Sequence, residues 1–225
     1  KSKKLNVTLR HHAYNKLQPS GHFHNDFLSI TLSINGIPII IDPGSYVYTA
    51  SNYWRNYFRS SQVHNGFYID GLEPIRLDNN LFGLEIPAGF PCTESDAFES
   101  SHELYKDLGL KAHRKVSFDK DSFGNITGII VNDSWKKRGD SRFDNLTSTW
   151  NLTLHPQIKV IRQGESSWDL VSYDNIKLAN ISSSDLDFEP IRGWASLNYG
   201  EKVQITRLVA KKPLKPSVYT WKIVL

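Results

Sequence analysis

"FLSITLSINGIPIIIDPG", residues 27–44, decides how this chain is read. From 27 to 34 the side chains alternate. Phe27, Ser29, Thr31 and Ser33 fall on one side of an extended backbone, and Leu28, Ile30, Leu32 and Ile34 on the other. Alternation with period two sets one apolar face against a core, the mark of a half-buried strand. Asn35-Gly36 follows, a pair that tolerates the positive φ angles of a two-residue hairpin turn, and "IPIIIDPG" is the return strand. Symmetric pairing about that turn puts residue i opposite roughly 71 minus i, so Asp42 lands near Ser29.

Working outward, the same pattern recurs in "GFYIDG", "RKVSFD", "ITGIIVND", "STWNLTLH", "QIKVIRQ", "WDLVSY", "VQITRLVA" and "SVYTWKIVL". The first residues also read as a strand. Turn-forming runs separate these segments: "DKDSFGN", "KKRGDSR", "HPQ", "RQGESS" and "KKPLKP". Helical periodicity is confined to a short piece near "SNYWRNYF". Many short strands with regular turns predict an all-β fold, a large antiparallel β-sandwich, with residues 1–225 as one unit.

Composition agrees. The chain has 225 residues, 39% hydrophobic and 12% aromatic, enough to bury a core without cross-links. Its one cysteine, Cys92, excludes an internal disulfide. No apolar run is long enough to span a membrane as a helix. The +4 net charge is dispersed, with no basic helix or arginine-rich tract, which argues against a nucleic-acid surface and suits an anionic ligand. Six Asn-x-Ser/Thr sequons occur, a number that a chain rich in these residues reaches by chance.

The residues that carry chemistry sit in the first third. "SGHFHND", residues 20–26, holds His22 and His24, which alternation places on one strand face, and Asp26 two positions on. Asp42 follows the hairpin. Its approach to His24 needs a bulge, a diagonal contact or strand twist. His64 opens a later strand in "SSQVHNGFYIDG". Two histidines and a carboxylate form a divalent-metal set, with zinc favoured by imidazole. Histidines satisfied by ordinary hydrogen bonds in a β protein are the other reading, and the commoner one. A cupin requires a glutamate shortly after its histidine pair, and "HFHNDFLSI" has none.

Taken in order, "GHFHNDFLSI", "DPGSYVY", "WRNYFRS" and "HNGFYIDG" resemble the C-terminal β domain of the heparinase II/III-like polysaccharide lyases. "LFGL", "SHELY" and "HRKVSF" are similar to that family's continuation, so the match is clear from about residue 20 to 118. The resemblance implies zinc, mainly structural, held by His24, Asp42 and His64. It implies His22 as a cleft residue with a catalytic or substrate-contacting role. It also implies an acidic polysaccharide as substrate and a bacterial, periplasmic or secreted setting. A further implication is a partner domain, an N-terminal helical toroid of the same protein. No stretch of this chain matches that toroid, so the chain is expected to be the C-terminal part of something longer and inactive by itself.

Such lyases act by β-elimination. The C5 proton of a uronate is acidified when its carboxylate is neutralised, a histidine or tyrosine removes it, and an acid protonates the departing O4. Tyr48 is the candidate for the leaving oxygen; Tyr57, equally near in sequence, reads as packing. Arg55 and Arg59 could pair with uronate or sulfate through planar forks, or form buried ion pairs with Asp42 or Asp70. His102 could line the cleft or sit on an exposed loop. Trp54 could stack on a sugar, although most tryptophans in a β fold fill the core. The competing function is a non-catalytic carbohydrate-binding or structural module.

Overall fold

The computed structural model describes residues 4–10, 22–77, 98–137 and 145–225. The segment "LFGL" and the residues His11, His12 and Cys92 lie outside these. Fourteen strands are present among the described residues, every pairing antiparallel, in three sheets.

The first sheet joins β1 (Leu5–Leu9), β2 (Ile30–Ile34) and β3 (Ile37–Ile40) in that order. The second holds, edge to edge, β5 (Glu99–His102), β6 (Leu110–Lys120), β7 (Ile126–Lys137), β14 (Val218–Val224), β11 (Lys177–Ser183), β10 (Ser167–Val171) and β9 (Lys159–Gly164). The third runs β12 (Glu189–Ala195), β13 (Val203–Pro213), β8 (Thr147–Thr153) and β4 (Phe67–Ile69). β3 leads into the third sheet, because Ile41 N–H donates to Thr153 O and His155 N–H to Ile39 O.

One apolar cluster draws on all three sheets: Leu28, Ile30, Leu32 and Ile34 meet Trp150, Leu152 and Leu154 of β8 and its end, with Val131, Trp135, Trp221 and Ile223 of the large sheet. This is the expected all-β sandwich. Along β14 the alternation is clean, with Tyr219, Trp221 and Ile223 buried.

Two details depart from the expected hairpin. Pairing follows the symmetric rule for Ile34↔Ile37 and Ser33↔Pro38, then shifts so that Leu32 faces Ile40. Ile39 is the extra residue of a bulge, which is why Ile39 and Ile40 are both buried despite being neighbours. Upstream, the strand begins at Ile30 and not at Phe27, because Leu28 takes a left-handed backbone with φ of 59°. His22 and His24 therefore lie in irregular chain, so the expectation of a shared strand face is corrected. β5, β11 and β12 were not legible as strands, since polar residues such as "ESSH" hide their alternation.

α1 (Asn52–Arg59) is the short helix anticipated in "SNYWRNYF". Ser51 caps it, its hydroxyl accepting from Trp54 N–H. Arg55, Phe58 and Arg59, at the i, i+3, i+4 spacing, form its buried face.

Candidate functional site

β8 is buried on both faces, which is unusual for an antiparallel strand and explains how the site is built. Trp150 and Leu152 point into the core. On the other face the polar residues Asn151 and Thr153 are covered by the segment that follows α1. Thr153 Oγ1 donates to Val63 O at 2.7 Å, and Asn151 Nδ2 to His64 O at 3.0 Å. Asn65, fully buried, clasps three pieces of chain. Its Nδ2 donates to Ile41 O at 2.8 Å, its Oδ1 accepts from Thr153 N–H at 2.6 Å, and its own N–H donates to Ser29 Oγ at 3.0 Å. His64 is thereby fixed beside the end of the hairpin that carries Asp42.

His64 Nδ1 lies 3.0 Å from Asp42 Oδ2, and its Nε2 lies 3.1 Å from the Phe58 carbonyl oxygen. A carbonyl only accepts, so Nε2 carries a proton and donates it. Nδ1 then faces a carboxylate, and two lone pairs cannot share that gap without a cation between them. A proton meets the need: burial opposes charge on His64, but the Asp42 carboxylate, its hydrogen bond and Asp26 outweigh it and raise the pKa. Burial likewise works against an ionised Asp42. Solvent softens that penalty, because the side chain is 47% exposed, and His64 with the Gly44 N–H holds the carboxyl below its usual range.

His24 completes the group. Its ring centroid is 5.3 Å from that of His64, and Nε2 is 3.5 Å from Ser45 Oγ. Burial first, and then the charge of His64, push its pKa down to about 4, so it is a neutral imidazole with a lone pair to offer. His24, Asp42 and His64 would hold a divalent metal, with the Phe58 carbonyl orienting the His64 ring from behind, as second partners of metal-bound imidazoles do. The donor chemistry of His24, Asp42 and His64 thus fits zinc. Among the described residues, no three His, Cys, Asp or Glu side chains already stand in a metal-holding arrangement.

Beside this trio lies a narrow pocket lined by His22, His24, Ser45, Val47, Tyr48, Arg55 and Arg59. Five of these residues are site candidates from the sequence. His22 meets Tyr48 edge-on, ring centroids 5.4 Å apart. Arg55 and Arg59 are both nearly fully buried, and Arg55 Nη1 donates to Tyr48 O at 3.3 Å. Asp70 pairs with Lys211 Nζ at 2.6 Å.

His102 is placed elsewhere. It is buried in β5, packed against the rings of Phe27 (5.4 Å) and Tyr105 (5.9 Å), and is not among the pocket's lining residues. Tyr57 packs as expected, accepting Trp194 N–H on its hydroxyl. Trp54 sits in an aromatic group with Tyr46, Tyr57, Phe58 and Trp194.

Several site-building residues gave no signal in the sequence. Glu73 accepts from Asn25 Nδ2 (2.7 Å), Ser61 N–H (2.9 Å) and Ser60 Oγ, tying the chain next to His24 to the end of α1. Arg114 donates to Leu28 O (2.7 Å) and Asn65 O (2.6 Å), one carbonyl from each histidine-bearing segment.

A family model described as Heparinase II/III-like, C-terminal, matches residues 1–222. Among solved structures, the chain is similar to heparan sulfate lyase HepC from Pedobacter heparinus, with a TM-score of 0.65 at 16% identity, over 92% of this chain and 32% of that one. It is also similar to a heparinase III, with a TM-score of 0.69 at 14% identity, over 98% of this chain and 33% of that one. The chain thus spans about a third of the length of these structures. No curated protein matches the sequence.

Proposed function

The chain belongs to the heparinase II/III-like C-terminal family, and from that premise we propose that it supplies one wall of a lyase cleft that cleaves uronic-acid-containing polysaccharides by β-elimination. The observation that carries this reading is one pocket combining two buried guanidinium groups with an imidazole and a phenol. In a low-dielectric wall a buried Arg pair is a strong recogniser of carboxylate or sulfate.

In this reading Arg55 and Arg59 hold the uronate carboxylate and stabilise the charge that builds on it as C5–H breaks. His22 takes the C5 proton. The C4=C5 bond forms as the C4–O4 bond breaks, and the Tyr48 hydroxyl protonates O4. Proton in, proton out: no water is consumed. His24, Asp42 and His64 would hold zinc, which when bound supplies a fixed positive charge that organises the cleft wall. His102 is left to packing. The remainder of the cleft is assigned to a helical domain of the same protein, and that domain's presence is part of the proposal.

The test is the product formed by the full-length protein from heparan sulfate. Unsaturated uronate ends with an ultraviolet chromophore are expected, and His22→Ala should lower turnover by about 10²–10⁴-fold. Hydrolytic ends without the chromophore would refute the elimination. Saccharide binding without any cleavage would favour the non-catalytic module.

A further inference from the structure

The pocket is narrow, and the surface beside it is firmly built. Tyr48, which lines the pocket, is stacked on Tyr199, with ring centroids 5.6 Å apart and planes 27° apart. Tyr199 is 66% exposed. Its position comes from a loop after β12 that is clamped to the Asp42–Tyr48 segment at several points. Ser196 N–H donates to Pro43 O at 2.7 Å and Gly200 N–H to Tyr46 O at 2.8 Å. Within the loop, Ser196 Oγ donates to Asn198 O and Asn198 Nδ2 to Glu201 Oε2. At its base the Lys202 ammonium sits over three rings, 4.4 Å from Trp54, 4.9 Å from Tyr46 and 5.2 Å from Trp194.

A loop held this firmly has already met most of its ordering cost, so an exposed ring on it is a preorganised contact surface. A tyrosine offers a flat apolar face with a polar rim. That suits a pyranose ring, whose C–H groups form one weakly polar face bordered by hydroxyls. Lys202, three residues further along the chain, places a cationic side chain on the neighbouring rings of Tyr46, Trp54 and Trp194, a sign that matches an acidic chain.

We propose that Tyr199 is a second sugar platform, stacking a ring further along the saccharide chain than the disaccharide unit that meets His22 and the Arg55–Arg59 pair. The platform rests on the proposed reading of the pocket and adds to it a subsite on a strand-connecting loop distant in sequence from the site motifs. It makes affinity depend on saccharide length: a disaccharide engages the pocket's lining residues, and a tetrasaccharide also reaches Tyr199.

Calorimetric titration of the full-length protein with size-fractionated heparan sulfate disaccharide and tetrasaccharide tests this. Tyr199→Ala is expected to weaken tetrasaccharide binding by about ten-fold and leave disaccharide binding unchanged, while Tyr199→Trp keeps both. Equal loss for both lengths would mean that the residue only supports Tyr48, and unchanged tetrasaccharide binding would mean that the ring is not a platform; either overturns the proposal. If the wild-type protein binds neither saccharide, the reading of the pocket itself fails, and the platform with it.

Discussion

At the scale of single residues, the informative atom is His64 Nδ1. The Phe58 carbonyl fixes the proton on the other nitrogen, so Nδ1 and the Asp42 carboxylate define a slot for a cation. Neutral His24 waits beside it. Metal analysis of purified wild-type protein should find about one zinc per chain, and His24→Ala should lose it. A zinc-free wild type, or unchanged content in the variant, would sink the ligand assignment. The residue types of this trio were legible from "SGHFHND", "DPGSYVY" and "HNGFYIDG". Their partners were not, because Phe58 O, Asn65 and Glu73 act through backbone carbonyls and buried hydrogen bonds that no spacing announces.

At the scale of elements, the "DPGSYVY" turn shows why a motif is more than its ligand. Gly44 has a φ of +81°, and a Cβ there would stand 2.1 Å from the carbonyl oxygen of Ser196. Backbone conformation and close packing each demand glycine. Gly44→Ala should cost roughly 2–4 kcal/mol, combining strain at positive φ with displacement of the Ser196 loop. Chemical denaturation would measure it, and a loss under about 0.5 kcal/mol, the range of ordinary surface changes, would show that the loop is free to move. The hairpin at Asn35-Gly36 was readable because its turn chemistry is local. The bulge at Ile39 was not, since it is set by which isoleucines the neighbouring sheets can accept.

At the scale of the molecule, a buried ion pair joins the large sheet to the site. Arg114 Nε and Nη2 donate to Asp133 at 2.6 and 2.8 Å, and the indoles of Trp150 and Trp221 donate to Asp133 Oδ2 at 3.1 and 3.0 Å. The remaining Arg114 nitrogen reaches the carbonyls of Leu28 and Asn65. Removing one partner strands a charge in the core, so Asp133→Asn should lose about 3–5 kcal/mol. Equilibrium denaturation reads this directly. A double replacement of Arg114 and Asp133 by apolar residues should recover part of that loss, yet leave the two carbonyls without their donor.

The sequence by itself determined the strand-rich fold, the hairpin, the short helix and the chemical types gathered around the pocket. These follow from local periodicity and turn chemistry, which each segment carries alone. Only the tertiary structure decided which carboxylate meets which imidazole, that His102 packs away from the pocket and that Tyr199 stands at its rim. Those outcomes depend on contacts between segments far apart in the chain. Antiparallel sheets form such contacts by register and burial, quantities that belong to pairs of strands and to no single one.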